Sequence, residues 1–584
     1  MAEGPRRRWV MGTGGRYRRP TAFCTALTVI TVCAWSLPAA RASAAAKPSV
    51  VYVSATAGGS GDGSRQAPFN SLSSAEAASG PGATIVVLPS PLSVAPLDGG
   101  IALKPYQTLI GAGPSVLQQH GSLTAAPRIT NSSGAQNSGD AVTLARGDTV
   151  ENLEIVNPYR GGIYGLNVQS ARVEGNNISG ANSSCTVGFV IYFPIPSTLT
   201  NGWAGIMVDA DAGASSLEIE NNYVHDAACS DGIDLRASGT ATVRAAIDRN
   251  KVLRLAEGTT VGSVLGIGLQ TRDSARLTAT ADSNSETDIG SSGADCEGLF
   301  TNQTGGTLVW TVDHNLFGHG IGGASCNGGE FFTGQADGTQ SIRISDSLFY
   351  DDPGDMLEEN NLGTGSTMNM TLDHVTVAHT TLATPAPAEP PIPAESFGSF
   401  TGHGFCMSQF STGPEAVTNF RMIDSHFSDC LSDGIFAFYA NLPGFGTGPG
   451  AESALDIENS SITNVGQYAL HWVNYATLDR LQITAWRDTF ANAHGGAMLG
   501  FDQAPGATTL APRIDLGDAG SYNTGDNCIL RPEMLNAETI GYNVTLQKDW
   551  WGTPLGPVPS SLSATDGAIP VTPFLQAPPR GGCA

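Results

Sequence analysis

Short apolar-x-apolar runs that end in Asn, Asp, His or Ser recur along most of this chain. Aligned, they read Val173-Glu174-Gly175-Asn176-Asn177-Ile178, Ile219-Glu220-Asn221-Asn222-Tyr223-Val224, Ile247-Asp248-Arg249-Asn250-Lys251-Val252, Val312-Asp313-His314-Asn315-Leu316-Phe317 and Ile344-Ser345-Asp346-Ser347-Leu348-Phe349. Rows beginning at Leu372, Ile423 and Ile457 continue the series. Anchors set at 177, 222, 250, 284, 315, 347, 375, 425 and 460 are separated by 45, 28, 34, 31, 32, 28, 50 and 35 residues. A period of about 30 residues with occasional long insertions is the signature of a solenoid. Each unit is strand and turn, punctuated by Gly and Asn, and after the N-terminal segment no stretch sustains a helical period. Strand-only coils stack about 4.8 Å apart and bury one column of Val, Ile, Leu and Phe. The expected fold is all-β, a single-stranded parallel β-helix of about ten or more coils.

The expected organisation follows. Residues 1–46 read as a signal peptide, with an Arg-rich start, an apolar stretch from Thr21 to Ala40 and the small residues Ala42-Ser43-Ala44-Ala45-Ala46. The Arg18-Arg19 pair leaves twin-arginine and general export both open. Residues 47–100 form an N-terminal cap and first coil, 101–484 the β-helix, and 485–584 the C-terminal coils and cap. Loops are expected near 383–399, rich in proline, and near 441–452, rich in glycine.

Charge narrows the partners. The chain carries 29 Lys and Arg against 53 Asp and Glu. Seven of those arginines and a single acid lie in residues 1–46, so the remainder stands at −30. Such a field repels nucleic acid and anionic membrane surfaces. No later segment is apolar enough to span a bilayer. Eight cysteines remain after residue 46, an even number that in an exported chain points to disulfides. Pairing sequence neighbours joins 185 with 229, 296 with 326, 406 with 430 and 528 with 583, although the sequence does not fix the connectivity. The expected location is secreted, extracellular or cell-wall associated, as a monomer.

Turn elements such as Ser230-Asp231-Gly232-Ile233-Asp234-Leu235 and Ser432-Asp433-Gly434-Ile435-Phe436 resemble the repeat of the pectin-lyase-like superfamily. The passage Val51 to Pro89, with its Gly58-to-Ser64 run, resembles the opening coil of secreted members, and Asp549-Trp550-Trp551-Gly552 through Leu575 resembles their final coil. The resemblance spans about residues 50–577 and implies a right-handed parallel β-helix. For activity it implies little, because the fold carries lyases, hydrolases, epimerases and noncatalytic proteins. Asp231-Gly232-Ile233-Asp234 and Gly318-His319-Gly320 resemble polygalacturonase elements, but they lie 87 residues apart and no Arg-x-Lys follows the second.

The aligned rows also expose a polar column. Four places after the anchors stand Asp226, Asp288, His319, Asp351, His379, Asp429 and Asn464. Such a ladder suits sugar hydroxyls, calcium or proton transfer, and the same residue types also serve turns by bonding nearby backbone. The densest cluster is Asp351-Asp352-Pro353-Gly354-Asp355 with Glu358 and Glu359, where mutual repulsion raises pKa values or recruits a cation. The expected catalytic residues are Asp351, Asp352, Asp355, His319 and Asp231. Asp351, Asp355, Glu358 and Glu359 are the expected calcium ligands. Asp226, Asp288, His379 and the solvent-facing aromatics Trp203 and Tyr439 are the expected substrate contacts. A lyase would use arginine as base, from Arg236, Arg254, Arg272 or Arg343, since lysine occurs only at 47, 104, 251 and 548. These readings converge on a protein that binds and cleaves an extracellular polysaccharide by elimination or hydrolysis; the competing reading is a noncatalytic surface or adhesion protein with a glycan-binding face.

Overall fold

In the computed structural model, the described residues are 48–583 except 60, 118–123, 191–199, 260, 292–294, 324–325, 335–336, 383–403, 441–449, 519–522 and 531–534. The expected signal peptide, the loop expected near 383–399 and nearly all of that expected near 441–452 lie outside them.

One turn of the solenoid runs through three strands. Ile206–Ala210 lies in sheet 1, Ala214–Glu220 in sheet 2 and Tyr223–Ala227 in sheet 3. The chain then returns to sheet 1 with Ile233–Ala237, which pairs parallel with the first strand (Ile206 opposite Ile233). Leu217 likewise faces Ala245, and Val224 faces Val252, in the other two sheets. Repetition of this step builds a right-handed parallel β-helix. Two strands, Ser263–Asp282 and Asp295–Asp313, pass from sheet 1 into sheet 2 without a break. The interior is one apolar column from Val51 to Trp551. Its N-terminal end carries a short helix, Leu72–Ala78, capped by the Ser71 hydroxyl. The expected boundary at 484–485 falls inside the strand Thr477–Trp486, so the coils run through it.

Polar columns hold the stack in register. Asn176, Asn222, Asn250, Asn284 and Asn315 are buried one above another. Each side-chain amide donates to the next side-chain carbonyl, at 3.0, 3.1, 3.1 and 2.9 Å. It also donates to a backbone carbonyl, and each side-chain carbonyl accepts a backbone N–H from the preceding coil. Both donors and both acceptor positions are thus satisfied, which buried amides require. The register moves the first anchor by one place, because Asn176 and not residue 177 stands opposite Asn222 in the ladder. Ser347, Ser425, Ser460, Asp488, Asn527 and Asp549 carry the column onward.

All four expected disulfides form, 185–229, 296–326, 406–430 and 528–583, with Cα separations of 4.3 to 5.8 Å. Among the described residues no helix is long and apolar enough to cross a membrane.

Candidate functional site

The column four places after the anchors is a column of left-handed turns. Asp226, Asp288, His319, Asp351, His379, Asp429 and Asn464 all have φ between 54° and 68°. The chain leaves sheet 3 there, and Asn, Asp and His tolerate that backbone better than other side chains do. Their partners are local. Asp226 accepts from Arg254 at 2.5 and 3.0 Å and pairs with His225, and the Arg254 hydrogen bond leads in pulling its acid down to about 2. Asp351 does meet the two expected imidazoles, His319 at 3.5 Å and His379 closer still, on the exposed rim of sheet 3.

The acidic run 351–359 does not make one site, because its residues point to different sides of the wall. Asp351 stays on the turn. Asp352 faces the interior, where one oxygen accepts the Gly320 N–H at 2.8 Å and the other has no partner; burial lifts it to about 7. Glu359 is also interior, held only by Gln409 at 2.6 Å and lifted by burial to about 8. Asp355 and Glu358 turn outward from sheet 1. Asp351, Asp355, Glu358 and Glu359 therefore do not converge on one ion, a correction to the expected calcium set. Among the described residues, the two groups whose ligand atoms do converge, within 4.8 Å, are Asp282, Asp313 and His314, and Asp373, His374 and Asp424, on the edge between sheets 2 and 3.

The aromatics expected to face solvent do not. Trp203 is 8% exposed, wedged between Tyr164 and the Arg160 guanidinium, which lies 4.0 Å above its ring. Tyr439 is 1% exposed, stacked on Trp472 inside the solenoid, with its hydroxyl donating to Ser453 at 2.8 Å. Along this strand Ile435, Ala437 and Tyr439 alternate inward, while Phe436 and Phe438 point out.

Sheet 1 is unlike the other faces. Strands of sheet 2 alternate buried and accessible positions, as in Thr339–Ser345, whereas Met407–Ser411 and Ile435–Ala440 of sheet 1 are buried on both sides. One outward column of sheet 1 reads Asp234, Gly268, Phe300, Glu330, Glu358, Ser408, Phe436 and His471, residue opposite residue. The outward aromatics Phe300, Phe332, Phe405, Phe410, Phe436 and Phe438 form a second apolar cluster, separate from the core.

Carboxylates concentrate at the centre of this face. Glu330 and Glu358 sit on adjacent strands, and the Asn360 amide donates to both, at 3.4 and 2.8 Å. Asn327 gives Glu358 a second donor at 2.8 Å. Glu297, on the preceding strand, accepts from Ser263 at 2.8 Å and stands beside Glu330. Burial first, and then their neighbours' charges, push Glu297 and Glu330 well above the usual carboxylate range and Asp295 to about 7. Glu358 is raised less, because the two amides stabilise its ionised form. Asp355, beside Glu358, is held by the Gly404 and Phe405 N–H groups and the Ser408 hydroxyl. Asp231 accepts the Leu265 N–H at 3.0 Å and pairs with Asp234, whose oxygens lack a protein donor. Room for that carboxyl exists because residue 268 is glycine: a Cβ there would stand 2.5 Å from Asp234 Oδ1.

Sequence reading missed Asp295, Glu297, Glu330, Asp234 and His471. The available signal was alternation along the strand: each stands beside an inward core residue, Ile233, Cys296, Phe331 or Leu470.

No family model and no curated protein matches this chain. Solved structures that resemble it include DFA-IIIase from Arthrobacter chlorophenolicus A6 in complex with GF2, 13% identical, with a TM-score of 0.30 over 70% of this chain and 84% of that one. The same enzyme without its lid gives a TM-score of 0.33 at 13% identity, over 70% and 84% of the two chains. The catalytic unit of a thermostable GH87 α-1,3-glucanase from Streptomyces thermodiastaticus strain HF3-3 is 13% identical, with a TM-score of 0.31 over 81% of this chain and 71% of that one. At such values the similarity transfers no site and no substrate, and the chemistry rests on this chain's own residues.

Proposed function

We propose that the outer face of sheet 1 is the active site of a secreted glycoside hydrolase acting on a neutral polysaccharide. The observation that carries this reading is the pair Glu330 and Glu358, opposite one another on adjacent strands and joined by the Asn360 amide, with Asn327 giving Glu358 a second donor. Glycoside hydrolysis needs one carboxylic acid that remains protonated and one carboxylate that remains ionised. Glu330 is suited to protonate the departing glycosidic oxygen. Glu358, raised less than Glu330 because the Asn327 and Asn360 amides favour its ionised form, is the better suited of the two to attack the anomeric carbon or to take the proton of the water that does so. The glycosidic C–O bond breaks, water supplies the new hydroxyl, and its proton restores the acid. Elimination is less well supported, since it needs a basic residue at the site: the sheet 1 strands between Ser263 and Ser411 contain no lysine or arginine up to Thr271, 295–303, 326–333, 357–361 and 407–411. The acidic protein also favours a neutral polymer over a polyuronate, and four disulfides suit an extracellular setting.

The test is incubation of residues 47–584 with starch, laminarin, xylan, mannan, inulin and polygalacturonate, following reducing ends and the ultraviolet absorbance of unsaturated uronates. New reducing ends without absorbance, lost in both Glu330→Gln and Glu358→Gln, are expected. Absorbance on the uronate, or activity that survives both substitutions, would overturn the assignment.

A further inference from the structure

Across sheet 1 from the carboxylates lies an open groove of about 250 Å³. Its floor and walls include Asp209, Arg236, Gln270, Arg272 and Asn302. Asp209, Arg236, Gln270 and Asn302 are consecutive members of one outward column, on four neighbouring strands. Asp209 and Arg236 form a two-pronged ion pair at 2.5 and 2.7 Å, and Arg236 also donates to the Gly188 carbonyl at 2.9 Å, so this part of the floor is fixed and internally neutral. At the rim, Arg272 has no acidic partner among the described residues, and Asp211 balances it. Gln270 Nε2 is shielded from water and has no hydrogen-bond partner among the described residues. A donor left unsatisfied in this way is costly unless something else accepts from it, and a small side-chain rotation toward the groove breaks no existing bond.

We propose that this groove is a distal subsite of the carboxylate site and takes a neutral sugar unit of the polymer by its hydroxyls, an inference that rests on the carbohydrate reading above. Two acids and two arginines leave no net charge for an anionic or cationic substituent to answer. Among the described residues the lining offers no aromatic ring, and recognition runs through the amides of Gln270 and Asn302 and the fixed fork below them, which read the orientation of hydroxyls. Distance sets the consequence. Gln270, at the middle of the groove, is two residues along and two strands across from Glu330, and three strands across from Glu358, about 12 and 16 Å at the spacings of an extended sheet. A sugar in the groove therefore reaches the carboxylates only as part of a longer chain, and the groove acts on polymer affinity before it acts on bond cleavage.

The experiment compares the polymer that is cleaved with its own trisaccharide, for the wild type, Gln270→Trp, which fills the groove, and the milder Asn302→Ala with Arg272→Ala, each checked for folding by circular dichroism. Expected is at least a tenfold fall in the ratio of kcat/KM on polymer to kcat/KM on trisaccharide, expressed mainly in KM. An unchanged ratio in folded variants overturns the proposal while leaving the hydrolase reading standing. If the wild type cleaves nothing in the panel, the hydrolase reading fails by itself, and affinity electrophoresis in gels containing each polysaccharide decides the groove. Retardation of the wild type that Gln270→Trp abolishes supports it; equal mobility of the two in every gel overturns it.

Discussion

The asparagine ladder and the carboxylate face are both stacks of buried polar side chains, repeated coil upon coil, yet they obey opposite rules. In the ladder each amide brings donors and an acceptor, so Asn222 gives to Asn250 and Asn250 to Asn284 with nothing left over. On the face, the stacked groups Glu297, Glu330 and Glu358 are acceptors only, and no arrangement of identical carboxylates can satisfy one another without sharing protons. The first stack uses burial to strengthen hydrogen bonds, and the second suffers burial as a rise in pKa. A solenoid that keeps the second kind of stack holds it at a cost to stability, as sites devoted to chemistry do.

The largest effect is expected where the face is disarmed. Glu330→Gln and Glu358→Gln should each lower kcat by about 10³-fold, while equilibrium unfolding at pH 7 shows the variants at least as stable as the wild type, because a buried carboxyl loses its like-charged neighbours. Loss of stability alongside loss of activity would return Glu330 to the structural kind of stack.

Glu359 tests the middle ground, a buried carboxyl with one donor, Gln409. Its folded pKa, about 8, lies above the ordinary value of 4.5. The native state thus binds the extra proton, so stability from this group is full below pH 4 and is lost as pH rises toward 8. Glu359→Gln should flatten that decline by about 4 kcal/mol, read as the difference in urea unfolding between pH 5 and pH 8 for the variant and the wild type. Parallel profiles would show that Glu359 does not titrate in this range.

Breaking the ladder should cost less than that, and in one place. Asn250→Ala strips partners from the Asn222 amide and backbone N–H, the Ile219 carbonyl and Asn284 Oδ1. The expected loss is about 3 kcal/mol. Because coils contact mainly their neighbours, it should surface as earlier hydrogen exchange in the strands around 219–224 and 247–255. Uniform loss of protection along the whole chain would contradict a ladder that acts coil by coil.

Much of this fold was legible because its signals are local. Asn222, Asn250, Asn284 and Asn315 repeat in the same apolar setting, and nearest-neighbour disulfides suit a chain whose contacts lie one coil away. The site was harder to read. Asp351 to Glu359 look like one cluster along the chain, but strand alternation sends Asp352 and Glu359 inward and Asp355 and Glu358 outward. Glu297 and Glu330, which meet in space, are separated by a disulfide-linked turn and share no motif. Tyr439 and Phe438 differ by one place in sequence and by the whole thickness of the wall in structure. Proximity in sequence marked the turns; proximity across strands made the face.

The smallest effect sharpens that distinction. If Asp351 serves the turn and not the chemistry, its backbone at φ 59° matters more than its carboxylate. Glycine occupies that conformation freely but loses more entropy on folding, so Asp351→Gly should change stability by no more than about 0.5 kcal/mol. Asp351→Val keeps a Cβ and adds branching, and should cost about 1 to 2 kcal/mol. Both should retain turnover on the polysaccharide that the Glu330 and Glu358 variants fail to cleave. Denaturant midpoints and initial rates on the same preparations decide it: a folded Asp351→Gly protein that has lost its activity would move the chemistry from the outer face of sheet 1 to the rim of sheet 3, where His319 and His379 flank the carboxylate.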